Sequence, residues 1–361
     1  MEDGGENAFR PLYKFYRRLP HSSLDPDAGV AFPDSNLLDP RAVESYEKAH
    51  PHAAKLHVTA RTVSDCTLDA LHAFIRASVS PVLGKDISID TGIVEITVDG
   101  LPGLRIYPNA LPPKVQQQLV VNVLEEYLPS PLHKTNLHIS YDLPQPFNLF
   151  EHSDDTSIPP LPGSGTTSPT TLASLQNKKL RWVTLGGQYN WTTKEYPSFA
   201  RNHPSFPAFP ADLADLLAAT GAKLFRSPIV ADAAIVNFYA DGDILSPHQD
   251  VAELSRADLL SLSLGCEALF LCGRSRAEPP LQIRLRSGDV IVLGGECRYA
   301  WHGVARTWDL TAPDYLADFD FANGVDHTNV SADIAAGRTR YASWMQSKRI
   351  NINVRQMLDS E

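Results

Sequence analysis

Cysteine is scarce in this chain: there are four in 361 residues (Cys66, Cys266, Cys272 and Cys297), and no two of them form a C-x-x-C pair. So few, so spaced, they argue against a disulfide framework and against a cysteine-ligated structural zinc, and for reduced, buried thiols. Long apolar runs are missing as well. Stretches such as Leu259–Leu264 and Ala268–Cys272 fall far short of the roughly 20 residues that cross a bilayer, so no integral membrane protein is expected. Positive charge is in deficit, with Lys+Arg 32 against Asp+Glu 42 and a net charge of −10. A general phosphate-binding surface is thereby disfavoured, and any contact with nucleic acid must be local. The opening Met-Glu-Asp-Gly-Gly-Glu carries neither the basic start and apolar stretch of a secretory signal nor the Arg-rich character of a transit peptide. Cytoplasm or nucleus is the expected compartment.

What is present is the stock of a globular protein. Hydrophobic residues make up 43% and charged residues 20%, and the length allows two average domains or one large domain with an accessory arm. Residues 1–90 read as an N-terminal arm and tether. Within them Phe9–Arg18 (FRPLYKFYRR) alternates aromatic and basic residues with helical spacing, which suits either a nucleic-acid contact or an arm docked by its aromatic face. Residues 91–151 read as an accessory segment of strand, Gly-Pro turn and helix, the helix spanning Pro112–Leu128. Residues 152–173 (HSDDTSIPPLPGSGTTSPTTLA) are poor in apolar side chains and rich in Ser, Thr, Pro and Gly, as expected of a flexible linker. Residues 174–361 would then form the main domain, with a further helix over Pro210–Ala219 ended by Gly221.

Beyond that helix the texture becomes β: IVNFY, LLSLSLG, EALFLCG, LQIRLRSGDVIVLGG and RININVR, divided by turn residues. Many short strands with Gly, Pro and Asp turns predict an antiparallel barrel or jelly roll. The segment 309–345 lacks this texture, and a length of that size reads as a lid or a structural insertion.

Chemistry concentrates at a few positions. In extended backbone i and i+2 share a face, so His248 and Asp250 of His248-Gln249-Asp250 can bind one metal. H-x-D is weak evidence alone, and so is His302 in AWHGV. RININVR adds weight, because its alternation puts Ile350, Ile352 and Val354 on one face and Arg349, Asn351, Asn353 and Arg355 on the other. Two guanidiniums and two amides inside a barrel are costly unless they bind an anion, although a merely wet edge strand has the same pattern. Asn237 and Tyr239 share a face in the same way. Two histidines and a carboxylate with open positions make the facial triad of non-haem Fe(II) oxygenases, here beside a clamp fit for a dicarboxylate.

Taken in order, N-x-Y, H-x-D, a distant His and R-x-N-x-x-x-R followed by Gln356 resemble the AlkB family of Fe(II)/2-oxoglutarate-dependent dioxygenases. FRPLYKFYRR, GLPGLRIYPNALP and LRWVTLGGQYNW resemble segments of its first eukaryotic branch, so the resemblance covers most of the chain. It implies a double-stranded β-helix (jelly-roll) core flanked by helices, mainly β, with an N-terminal helical arm. It also implies that His248, Asp250 and His302 hold Fe(II), that Arg349 and Tyr239 grip the distal carboxylate of 2-oxoglutarate, and that Asn237, Asn351 and Arg355 complete that site. O2 would take the remaining position. The implied reaction converts 2-oxoglutarate to succinate and CO2 and oxidises an N-methyl group, which leaves as formaldehyde.

The family acts on methylated bases held outside the stack, so aromatic walls are expected near the metal. Trp182, Tyr189 and Asn190 fall in the family's substrate-contacting segment, though Trp182 equally suits core packing. Lys178, Lys179 and Arg181 just before are candidate phosphate contacts, and Arg276 in CGRSR is a further substrate-side candidate. The leading expectation is a demethylase of tRNA N1-methyladenine or of methylated DNA, acting as a monomer and without a membrane partner. The alternatives are a dioxygenase of a protein side chain or small molecule, which the acidic charge favours, and a non-catalytic interaction protein.

Overall fold

In the computed structural model, residues 7–18, 55–62, 92–144, 148–189, 206–322 and 331–358 are described, with isolated positions between them. Fourteen strands are found among the described residues: β1 Leu56–Thr62, β2 Gly92–Val98, β3 Leu104–Tyr107, β4 Ser157–Ile158, β5 Thr170–Thr171, β6 Trp182–Gly186, β7 Ala233–Tyr239, β8 Leu245–His248, β9 Leu259–Gly265, β10 Glu267–Gly273, β11 Leu281–Leu285, β12 Val290–Leu293, β13 Trp301–Trp308 and β14 Arg349–Arg355. Eight form one sheet in the order β1-β2-β3-β12-β9-β14-β7-β6, and four form a second in the order β11-β10-β13-β8. The pairings are antiparallel, as the short strands and tight turns require.

Period-2 alternation sorts the side chains of the large sheet. Ile350, Ile352 and Val354 of β14, with Leu260, Leu262 and Leu264 of β9, join Val115, Leu119, Leu213 and Leu216 in the main core. Those four belong to helices α2 (Pro113–Asn122) and α3 (Ala211–Gly221), which cover one face of the sheet. The opposite face looks toward the small sheet across a second core of Leu259, Phe270, Ile283, Leu285, Ile291 and Leu293. Pro113 opens α2, where a missing N–H costs nothing. Gln116 and Gln118 are buried on this helix but satisfied: Gln116 donates to the Leu111 carbonyl and accepts from Ser287, and Gln118 donates to Asn122.

The N-terminal helix α1 (Phe9–Tyr16) docks by its aromatic face, burying Phe9 and Tyr16 against Leu269, Leu271, Ala305 and Trp308 on the outside of the small sheet. Arg10, Lys14, Arg17 and Arg18 remain exposed. Tyr13 donates to the Leu245 carbonyl at 2.5 Å, and a Cβ on Gly303 would lie 2.2 Å from the Tyr13 hydroxyl. Only glycine at position 303 lets the helix seat this closely.

Four expectations are corrected. Residues 56–62, read as tether, form β1; it is an edge strand that buries only Leu56, which weakened the alternation. Residues 91–151 are not accessory, because β3 pairs with β12 inside the large sheet. Residues 152–173 are a folded segment rather than a tether: β4 pairs with β5, Ile158 and Leu172 are buried, and Arg340 ties the segment down through Asp154 and the carbonyls of Phe150 and His152. Backbone hydrogen bonds from Asp142 to Pro159 and from Leu161 to Ser140 add to these contacts and order a chain whose composition is that of a linker. Gly221 closes α3 from inside its last turn, without a left-handed stop; a Cβ there would meet the Ser227 carbonyl at 2.7 Å.

Candidate metal and 2-oxoglutarate centre

The two sheets supply opposite walls of one site. On the small sheet His302 of β13 stands directly across from His248 of β8, with ring centroids 4.4 Å apart. Asp250 follows β8 on irregular backbone, its oxygens 3.8 Å from His248 Nε2 and 3.7 Å from His302 Nε2. One ligating atom from each of the three residues falls within 4.8 Å of the others, the only such cluster of metal-binding groups among the described residues. Each imidazole Nδ1 lies 2.9 Å from a backbone carbonyl, that of Ser246 for His248 and that of Ala300 for His302. These contacts fix the rings so that both Nε2 atoms face the carboxylate, as metal-binding imidazoles require. Two imidazoles and one carboxylate on one side of an open volume suit Fe(II).

Electrostatics keep these ligands ready. Burial pushes the Asp250 carboxyl up, but the Arg355 guanidinium and the two imidazoles overcome it and hold the group well below the ordinary carboxylate range. Burial drives His302 down to about 4, against the pull of Asp250, so its ring is neutral at pH 7.

A cavity runs between the sheets from His302 to Arg349, lined by Tyr239, Asn351, Asn353 and Ser261 on its polar side and by Leu259, Phe270 and Leu293 among its apolar residues. Arg349 is 1% exposed, donates to Ser263 Oγ at 2.9 Å, and keeps Nε buried without a partner. An uncompensated buried guanidinium donor at the closed end of a cavity calls for an anion, and a carboxylate fits. Tyr239 is its cross-strand neighbour, with a hydroxyl raised by burial. Asn351 lines the cavity and donates to Ser261 Oγ and the Leu262 carbonyl.

Not every expected residue joins this cavity. Asn237 is half-buried opposite Asn351 and does not line it. Arg355 donates to Asp250 Oδ2 at 2.9 Å, so it serves the metal end of the site. Trp182 is half-buried on the face of Asn237, outside the core clusters, and Tyr189 packs edge-on to Tyr196, close enough to sense Asp250. Asn190 lies outside the described residues. Arg276 is the correction: it stacks over Trp301 at 5.0 Å, on the outer α1 side of the small sheet, while the next residue, His302, points inward. Alternation within β13 separates the two faces. Among the candidate phosphate contacts, Lys179 donates to the Tyr141 hydroxyl and Arg181 pairs with Asp243, leaving Lys178 exposed.

Two charged residues that touch Asp250 or its guanidinium partner escaped the sequence reading. Glu253 and Arg298 are buried and paired at 3.0 Å. Neither falls in a periodic pattern that would mark it in the sequence.

With this geometry in place, the comparisons agree on a class. A model of the 2OG-Fe(II) oxygenase superfamily matches residues 103–355, and the chain belongs to that superfamily. Within it the chain belongs to the AlkB family, on the ALKBH1 branch. It is 35% identical over 356 residues to the Pyricularia oryzae protein called N6-methyladenosine RNA demethylase ALKB1, covering 89% of this chain and 90% of that one. It is 37% identical to the tRNA demethylase abh1 of Schizosaccharomyces pombe, over 72% of this chain and 80% of that one. It is 30% identical to the DNA N(6)-methyladenine demethylase ALKBH1A of Arabidopsis thaliana, over 72% and 76%. Membership makes the protein a dioxygenase that uses Fe(II), 2-oxoglutarate and O2.

Proposed function

We propose that this protein oxidatively removes N-methyl groups from bases of nucleic acid, with tRNA N1-methyladenine ahead of methylated DNA bases as substrate. The observation that carries the reading is the pairing, in one cavity, of the His248–Asp250–His302 cluster with the buried, unpartnered Arg349 Nε. The relatives' names support nucleic acid and divide between RNA and DNA. The net charge of −10 favours a base presented in a loop over a duplex held by its phosphates.

In this reading His248, Asp250 and His302 hold the metal, and Arg349 with Tyr239 holds the distal carboxylate of 2-oxoglutarate. Asn351 completes the cosubstrate site, and Arg355 keeps Asp250 ionised and aimed. With 2-oxoglutarate and O2, bound Fe(II) supplies the oxidising chemistry, giving succinate, CO2 and a hydroxymethyl group that leaves as formaldehyde. Trp182 and Tyr189 form the base-facing wall; Arg276 has no part in it. The apolar residues between the sheets keep bulk water from the reacting centre.

The strands β7 to β14 are read as a double-stranded β-helix. Support comes from their alternation between sheets, with β7, β9, β12 and β14 in the large sheet and β8, β10, β11 and β13 in the small one. We take the protein to act as a monomer in the cytoplasm or nucleus.

The test incubates purified protein, Fe(II) and 2-oxoglutarate with methylated tRNA and with methylated DNA oligonucleotides, and follows the bases by mass spectrometry and succinate in solution. Loss of the methyl group with matching succinate is expected in wild type and absent in Asp250→Ala. Succinate produced with a protein or metabolite but with neither nucleic acid would overturn the substrate.

A further inference from the structure

Asp250 is the one residue of the metal cluster that lies outside a strand. His248 and His302 are fixed by the β8–β13 ladder, whereas residues 249–258 form no ladder of their own. Something else must hold the carboxylate.

Arg298 is 2% exposed and spends its guanidinium on that loop. Its Nη1 donates to the Asp250 carbonyl at 2.9 Å and its Nε to the Ala257 carbonyl at 2.8 Å, while Nη2 lies 3.0 Å from Glu253 Oε2. The other Glu253 oxygen lies 3.0 Å from Arg355 Nε, an ion pair off the hydrogen-bond axis, and Arg355 Nη2 donates to Asp250 Oδ2. Asp250, Arg355, Glu253 and Arg298 therefore alternate in charge around a closed circuit, with side chains almost entirely buried. Arg298 belongs to the turn Gly295–Tyr299, which leads directly into β13 and His302. Gln249 reinforces the link by donating to the Tyr299 carbonyl at 2.6 Å.

From this geometry we infer that Glu253 and Arg298 are positioning residues of the metal centre: they fix the backbone of Asp250 against the turn that carries His302, and so set the distance between ligands from the two segments. The inference rests on the reading of His248, Asp250 and His302 as metal ligands. A planar guanidinium supplies three donors in a fixed fork, which an ammonium cannot reproduce. Side chains that orient metal ligands typically change metal affinity 10–100-fold when replaced.

The test is a titration of metal-free protein with Mn(II), followed by the electron-spin resonance of the free ion, alongside thermal unfolding. Arg298→Lys and Glu253→Gln keep most of the buried volume and, between them, guard against one variant failing to fold. Each is expected to weaken Mn(II) at least tenfold relative to wild type, while Arg274→Lys, whose partner is the exposed Glu296, leaves it unchanged. A lowered unfolding temperature with Mn(II) affinity within twofold of wild type would overturn the inference and leave the circuit a purely structural one. If wild type binds Mn(II) no more tightly than His248→Ala, the metal-centre reading falls instead.

Discussion

Burying an imidazole inside a protein has a measurable consequence for the metal-free chain. His302, 4% exposed, has its pKa driven down to about 4 by burial, whereas in the unfolded chain it returns to the ordinary imidazole value of 6.5. Between those values the unfolded chain binds a proton that the folded one refuses, so stability is present above about pH 6.5 and falls as pH drops toward 4. At pH 5 the loss from this one group is about 2 kcal/mol. Urea unfolding of metal-free protein at pH 7.5 and pH 5 should show wild type losing about 2 kcal/mol more than His302→Gln; equal losses would mean that the ring is not held neutral. At the other end of the cavity Arg349 makes a different prediction. A hydrogen bond to a charged group contributes about 1.5–3 kcal/mol, so Arg349→Gln should raise the KM for 2-oxoglutarate roughly 10–100-fold. Mn(II) binding should stay near wild type, because Arg349 touches none of the three metal-cluster residues. A change in Mn(II) affinity without a change in KM would place the cosubstrate elsewhere.

Elements differ in how far their role could be read from the chain. RININVR declared both of its faces, because a strand between a helix layer and a polar cavity must alternate strictly, and the structure seats Ile350, Ile352 and Val354 against the helices. The spacing of His248 and Asp250 was legible for the same reason. The segments 152–173 and 309–345 were not, since what orders them is contact with distant residues. The clearest case is Arg338 of helix α4 (Ala332–Arg338), fully buried, with Nε and Nη2 each 2.5 Å from a Glu125 oxygen; Tyr341 of helix α5 (Tyr341–Met345) donates to the same carboxylate. Local sequence carries no mark of a partner so far away. The described part of 309–345 is thus pinned, through Arg338 and Tyr341, to Glu125 in the turn that follows α2. Removing one partner leaves an uncompensated buried charge, so Arg338→Ala should lower the unfolding free energy by about 3 kcal/mol or more. Replacing both, as Arg338→Met with Glu125→Leu, should recover much of that loss. A double variant as unstable as the single one would show that packing around the pair, not its charge, holds the segment.

For the molecule as a whole, charge is the quantity that bears most on its partner. A net charge of −10 repels a polyanion at long range, so a nucleic-acid substrate must be held by a few local contacts and by base stacking. The inventory near the candidate substrate wall agrees: Arg181 is neutralised by Asp243 and Lys179 is bound to Tyr141, while Lys178 is exposed and Tyr189 and Trp182 offer aromatic surface. A second cationic group lies on the exposed face of α1, with Arg10, Lys14, Arg17 and Arg18, but α1 sits on the far side of the small sheet from the His248–His302 pair. Each phosphate neutralised on a single strand contributes about −0.7 to the slope of log K against log salt. Two to four local contacts therefore predict a slope of about −1.5 to −3 for a short methylated single strand, measured by fluorescence anisotropy on the metal-loaded protein without O2. Lys178→Ala should make that slope shallower by about 0.7 and weaken every sequence alike, whereas Tyr189→Ala should weaken binding without altering the slope, because stacking releases no counterions. A slope steeper than about −5 would require an extended cationic track that includes the face of α1. The strand would then wrap around the small sheet, and Arg17→Ala with Arg18→Ala would reduce the slope where Lys178→Ala did not.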